Sequence, residues 1–261
     1  WETSADNPER WVAPANYVDW RREARSFASL AAFDEFRPTL TRPLAGSAPE
    51  PEVVRAVSAS GHFFTTLGVS AGVGRSLVPA DDEAGALRVA VLSDGLWRRA
   101  FAARPEAVGE VVLLNGEPHT IVGVMPERMA SPLQSAPIDL WVNGDRGVPR
   151  TFPFGGDITT VRDAHMIYVL GRLAPGVTTR VAQQELSAVM QELSRRYPNT
   201  NAGLGVNVQP LHAAVVGDVS RLVGLLQLAV ATLLLVACAN VAHLLLGQAI
   251  ARHTEMATRV A

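Results

Sequence analysis

The sequence predicts an α+β extracytoplasmic domain followed by a transmembrane α-helix, and three observations predict it. The stretch LVGLLQLAVATLLLVACANVAHLLLGQAIA runs from Leu222 to Ala251, with no Asp, Glu, Lys or Arg between Arg221 and Arg252. Before it, short apolar runs of strand type alternate with segments of helical periodicity. Within that region Glu110–Leu114 and Pro118–Val124 flank Asn115-Gly116, the dipeptide suited to a type I′ hairpin turn.

The apolar stretch comes first because everything else is placed by it. Its tightest part, Leu222 to Leu246, makes a helix of roughly 37 Å at 1.5 Å per residue, against a hydrocarbon core of about 30 Å. It can therefore cross a bilayer with some tilt. A helix buried in a soluble core is normally shorter and shows a polar face. Gln227, Thr232, Cys238, Asn240 and His243 cannot all face lipid without cost, so the helix is expected to pack in a bundle. Asn240 is placed to hydrogen-bond a neighbouring helix, and Ala237, Ala239 and Ala242 allow close approach. Cys238 and His243 are about 140° apart on a helix, which disfavours a shared metal ion. One Arg precedes the span within twenty residues and two follow it within ten, placing the C-terminus inside and residues 1–217 outside.

In chain order, Asn16 is read as the cap of a helix reaching Ala32, with Asp19 favouring its positive end. Tyr17, Trp20, Ala24, Phe27 and Ala31 form its apolar face. Arg21, Arg22, Glu23 and Arg25 read as its solvated side. Arg37–Pro51 is rich in Pro, Gly and Ser and reads as loop. Val53–Val57 is a strand, followed by a short helix capped by Ser60 and closed by Gly68. Val89–Leu92 is a buried strand, and Ser93 caps a helix carrying Leu96, Trp97 and Phe101. After the hairpin come a strand at Ile138–Val142 and a linker from Gly144 to Asp157. Met166–Leu173 is a strand, Thr179 caps a helix with Ala182, Leu186, Val189 and Leu193 on one face, and Leu204, Val206 and Val208 alternate. Together these last three elements read as a βαβ unit.

Composition excludes several functions. Net charge is −2 with both signs mixed, so no nucleic-acid partner is expected. All 23 basic residues are Arg, and the single cysteine, Cys238, lies in the apolar stretch, so the outer region has no disulfide. The chain starts at Trp1 and stops at Ala261 inside a helix-like run, and it is expected to be a fragment.

Candidate sites fail on their chemistry. Gly68-Val69-Ser70-Ala71-Gly72 matches the nucleophile-elbow pattern, which needs a strand before the serine and a helix after it. Here a short helix precedes and a Gly-rich loop follows. The overlapping VSAGVGRS has Val69 where a phosphate loop needs glycine and Arg75 in place of its lysine. Asp81, Asp82 and Glu83 lack EF-hand spacing and read as a solvated turn. The histidines lack metal-ligand spacing. No catalytic residue, cofactor or metal is assigned.

Six stretches together resemble the FtsX-like ABC transporter permeases with a MacB-type periplasmic core domain, in the branch of the acidobacterial duplicated orphan permeases. They are ANYVDWRREARSFASLAAF from Ala15, VSASGHFFTTLGVSAGVGRSLVPADD from Val57 and VAVLSDGLWRRAF from Val89, then VGEVVLLNGEPHTIVGVMP from Val108, GRLAPGVT from Gly171 and LLLVACANVAHLLLGQAIARHTEMATRVA from Leu233. His243 departs from the pattern, where asparagine is expected. The resemblance implies a porter-like α/β subdomain from residues 1–60 and 163–217, an inserted β-rich subdomain at 61–145, a linker at 146–162, a transmembrane helix at 218–251 and the start of a cytosolic coupling segment at 252–261. It implies further membrane helices, a separate cytosolic ABC ATPase subunit as partner and a second permease copy or half in the bacterial inner membrane. It also implies a role for the Glu-x-Ala-x-Arg pattern, with Arg252, Glu255 and Arg259 coupling to that ATPase. The alternatives are a single-span anchored binding or sensor domain and, from the elbow pattern, a surface hydrolase using Ser70.

Overall fold

The structure, a computed structural model, describes residues 1–42, 51–129, 137–151, 156–214 and 223–242. The chain opens with a hairpin, β1 (Glu2–Ser4) and β2 (Asn7–Arg10), and then helix α1 (Pro14–Glu23). Pro14 starts α1 because its missing N–H is one that a first turn leaves unpaired anyway. Tyr17, Trp20 and Ala24 are buried as its periodicity requires, but the helix stops at Glu23, well short of Ala32. Ala24 is already extended, and the Glu185 carboxylate accepts the backbone N–H of Arg25 at 2.8 Å and of Ser26 at 2.7 Å.

Residues 27–36 then form β3 (Phe27–Phe36). In FASLAAF the small apolar residues satisfy both a period of 3.6 and a period of 2, and tertiary pairing selects the strand. Its two faces serve different cores. Leu30 and Ala32 pack with α1, while Ala31 and Phe33 pack on the opposite side with Phe63 and Phe64.

Part of the expected loop is strand β4 (Thr39–Thr41). The expected strand at 53–57 is split into β5 (Glu52–Val53), paired with β4, and β6 (Ala56–Ala59), paired with β3. Arg55 lies at the break, its N–H donating to Asp139 Oδ2 at 2.9 Å. Helix α2 (Phe63–Leu67) follows and closes on Gly68 at φ 71°, the left-handed cap that its glycine permits. Ser60 does not cap it; the Ser60 hydroxyl accepts the Ala32 N–H at 3.1 Å.

Beyond β7 (Val73–Gly74) and β8 (Val89–Leu92), Ser93 caps α3 (Asp94–Phe101) by accepting the Leu96 N–H at 3.1 Å. Strands β9 (Val111–Leu114) and β10 (Glu117–Val124) make the hairpin, with Asn115 at φ 50° and Gly116 at φ 82°, both positive as type I′ demands. The Asn115 side chain also accepts the Thr39 N–H at 2.9 Å, fixing β4 beside β9. The remaining elements of the outer region are β11 (Leu140–Asn143), β12 (Tyr168–Leu173), α4 (Thr179–Arg196), α5 (Pro198–Asn201) and β13 (Gly205–Val206). Thr178, one residue before the expected cap, is the residue that caps α4.

These strands form a ten-stranded mixed sheet in the order β12-β3-β6-β11-β8-β10-β9-β4-β5, with β7 against β10. Two pairs are parallel, β11 with β6 and β10 with β8, and each needs a crossover, made by chain that includes α2 and α3 respectively. The β-α-β rhythm expected at 166–208 has the right element order but a different pairing. Strand β13 leaves β12 and joins a separate three-stranded sheet, antiparallel to β1, with Val206 opposite Glu2. Three buried clusters form the core, and β6, β8 and β11 send alternate residues into two of them. One gathers Val12, Tyr17, Trp20, Leu186, Met190 and Val206, a second gathers Leu40, Val54, Leu96, Phe101, Ile121 and Leu140, and the third lies around Phe33, Phe63, Phe64 and Trp141.

Trp20 sits at the centre of the first cluster with its indole N–H 3.2 Å from Met190 Sδ. Trp20→Ala should lower unfolding stability by about 3–5 kcal/mol, read as a shifted urea midpoint at unchanged m-value.

Candidate functional site

Helix α6 (Val223–Ala242) is long and apolar enough to cross a membrane, and its side chains are exposed throughout. A helix that exposes this many leucines and valines suits lipid or other helices as its surroundings. Thr232 satisfies its hydroxyl within the helix by donating to the Leu228 carbonyl at 2.8 Å. Asn240 is exposed on this helix. His243, Arg252, Glu255 and Arg259 lie outside the described residues.

The outer unit, Trp1–Leu211, has its densest polar chemistry where its first strand meets its last. Glu2 is fully buried on β1. Its Oε1 accepts from Asn16 Nδ2 at 2.7 Å and from the Ala13 N–H at 3.3 Å, while its Oε2 lies 2.5 Å from His165 Nδ1. Asn16 Oδ1 in turn accepts from Arg162 Nη1 at 2.7 Å and from Asn201 Nδ2 at 2.9 Å. The second Arg162 nitrogen pairs with Asp19 Oδ2 at 2.5 Å, and its guanidinium lies 3.7 Å from the Tyr197 ring centroid. Asp19 Oδ1 pairs with Arg22. One continuous network thus joins β1, α1, the segment before β12 and α5. Backbone bonds reinforce it, with the Asn207 N–H donating to the Trp1 carbonyl at 2.9 Å.

This network corrects two sequence expectations. Asn16 is no cap but a buried connector, and Asp19 is a buried ion-pair partner in mid-helix. The signal was present: Asn16 and Asp19 fall on the same face as Tyr17 and Trp20, and polar groups on an apolar face must find partners. Which partners they find depends on residues about 145 and 185 positions away.

The other candidates resolve locally. Ser70 follows α2 and precedes β7, the reverse of the strand-then-helix setting that an elbow requires. Arg75 is held by Asp81 through two bonds of 2.7 and 2.9 Å and is not aimed at a phosphate. Asp81 and Asp82 are not a solvated turn: Asp81 is buried and accepts the Val78 N–H, and Asp82 accepts the Gly61 N–H.

A mixed-sheet α/β unit is followed in the chain by a helix long and apolar enough to cross a membrane. The sequence matches the MacB-like periplasmic core domain family over residues 4–189, and the chain belongs to that family of ABC transporter permeases. It is 24% identical over 169 residues to the macrolide export ATP-binding/permease protein MacB of Burkholderia thailandensis, covering 64% of this chain and 24% of that protein. The chain therefore spans about a quarter of the length of that relative. Its fold is similar to the periplasmic region of MacB from Actinobacillus actinomycetemcomitans, at TM-score 0.50 and 13% identity, over 77% of this chain and 80% of that one. A permease-protein domain from Porphyromonas gingivalis is similar at TM-score 0.53 and 16% identity, over 79% and 84% of the two chains.

Arg162→Ala leaves buried Asp19 with Arg22 as its remaining cation and Asn16 Oδ1 with Asn201 as its remaining donor, and should cost about 1.5–3 kcal/mol in thermal or urea unfolding. Asp19→Ala in the same background should cost much less than it does alone, the non-additivity of groups in direct contact.

Proposed function

We propose that this chain is the outer domain and following membrane helix of a non-enzymatic permease subunit in the bacterial inner membrane. A separate cytosolic ATPase hydrolyses ATP, and membrane-helix movements pass into residues 1–217, which lie outside the cytoplasm. The reading rests on one observation: a MacB-like periplasmic core domain is followed in the same chain by an apolar, exposed helix of membrane-spanning length. The macrolide-export ATP-binding/permease name of the Burkholderia thailandensis relative supports export coupled to ATP. The excess of Arg after the apolar stretch supports a cytosolic C-terminus. In this reading residues 1–60 and 163–217 act as a porter-like subdomain, 61–145 as an insert and 146–162 as a linker. Residues 218–251 span the bilayer, and a second permease copy or half completes the helix bundle through contacts that include Asn240 and His243.

The coupling role is proposed for Arg252, Glu255 and Arg259. Charges after a span anchor it at the headgroup layer, which accounts for Arg252 but not for Glu255, since a carboxylate gains nothing near an anionic leaflet. Glu255 and Arg259 are four residues apart in the order that favours a helical ion pair.

Topology is checked with single cysteines at Ser135 and Thr258 in a Cys238→Ala background. An impermeant thiol reagent added to intact cells should label position 135 and spare 258; external labelling of 258 overturns the orientation. Glu255→Lys should insert normally yet lose co-purification with the ATPase, or leave ATP hydrolysis uncoupled from export. Wild-type complex formation and export in that variant would leave only a headgroup anchor.

A further inference from the structure

Three segments of the outer unit converge on Asp82, which ends the single turn Pro79–Asp82 with 9% of its side chain exposed. Its Oδ1 accepts the Gly61 N–H at 2.8 Å. Its Oδ2 is buried without a hydrogen-bond partner among the described residues, and Arg21 Nη1 on α1 stands 4.0 Å away. That separation lets charges attract but is too long for a hydrogen bond. The turn at Gly147 closes over the pair. A Cβ at Gly147 would lie 2.8 Å from Arg21 Nη1 and 2.9 Å from Asp82 Oδ2, and the residue has φ +75°.

A buried carboxylate oxygen with no protein donor is costly when ionised, and either a proton or a closer guanidinium relieves it. We propose that Arg21 and Asp82 form a protonation-controlled latch, closed on the ionised carboxylate and released when Oδ2 takes a proton. The latch sets how firmly the C-terminal end of α1 is held against residues 60–82 and the Gly147 turn. It does not rest on the transport reading.

The groups around Asp82 support that behaviour. Burial pushes its pKa up to about 6, with the Asp81 charge adding to the rise, while the Gly61 N–H and Arg21 oppose it. Asp81 is itself engaged by Arg75. Tyr17 stands one turn before Arg21 with its ring centroid 6.0 Å from the guanidinium, and burial raises its pKa, so it stays neutral. His62 is held below its ordinary pKa by burial and then by Arg21, so it does not compete as a cation at neutral pH.

The sign of the linkage separates this latch from an ordinary salt bridge. A carboxyl raised in the folded state holds its proton there while the unfolded chain has lost it. Asp82's own contribution to global stability therefore grows as pH falls through about 6 toward 4, while α1 loosens. An ordinary ion pair would lose global stability over the same range.

The test is hydrogen exchange of the full chain in lipid nanodiscs at roughly pH 5 and pH 7.5, corrected for intrinsic rates. Peptides covering 17–25 and 145–150 should exchange about three-fold faster at the lower pH. Asp82→Asn should exchange fast at both values, and Gly147→Ala should release the latch at the higher one. Exchange that is independent of pH in the unaltered chain overturns the proposal, as does Asp82→Asn keeping the full pH dependence. Should Asp82→Asn fail to fold, Arg21→Gln, on the solvent side of the pair, must abolish the dependence in its place, and its persistence overturns the latch.

Discussion

A carboxylate taken wholly out of water has to be surrounded by donors, and Glu2 is such a carboxylate. Its partners Asn16, Ala13 and His165 come from two distant parts of the chain, so burying Glu2 requires both parts to be in place. Asn16 extends the requirement to Arg162 and Asn201, and Arg162 extends it to Asp19. Each polar group is tolerable only because the next is present. The network therefore ties the first strand and helix to the segment around residues 162–201, and with it the pairing of β1 with β13. Apolar packing of Trp20 against Met190, Leu186 and Leu193 supplies the bulk attraction, and the polar network selects which surfaces meet.

The main sheet obeys a second constraint. Strand β3 lies between β12 and β6, and side chains from its two faces enter two different cores. A strand buried on both faces reads as a nearly continuous apolar run, which is the composition of FASLAAF. The middle of the chain then threads through the sheet by two parallel crossovers and one tight hairpin. Asn115 serves twice, supplying the positive φ of the turn and holding β4 in register through its side chain. Exchanging it would disturb the turn and the strand beside it together.

Helix α6 follows another logic, because lipid rather than protein is the solvent its composition suits. Its leucines and valines are exposed in the chain itself, whereas the outer unit hides residues of the same kind in three clusters. The family match and this contrast together account for a chain that has one unit with buried cores and one apolar helix whose described side chains are exposed.

Elements governed by contacts within a few residues were legible in the sequence: the Asn115-Gly116 hairpin, Ser93 as the cap of α3, Gly68 as the close of α2 and the apolar stretch of α6. The order of the quoted stretches was enough for the family. The end of α1, the strand at 27–36, the partner of β13 and the roles of Asn16, Asp19, Asp81 and Asp82 were not. For these the local sequence admits two conformations or several partners of similar free energy. Glu185 accepts the amides of Arg25 and Ser26 just before β3, whose pairing with β12 and β6 selects the strand, and that carboxylate lies 160 residues away from the first of them. Local chemistry decided where turns, caps and the apolar helix fall, because their energetics close within one or two turns of chain. Only tertiary structure decided which strands pair and which buried charges meet, because the free energy of a buried polar group belongs to whatever distant donor reaches it.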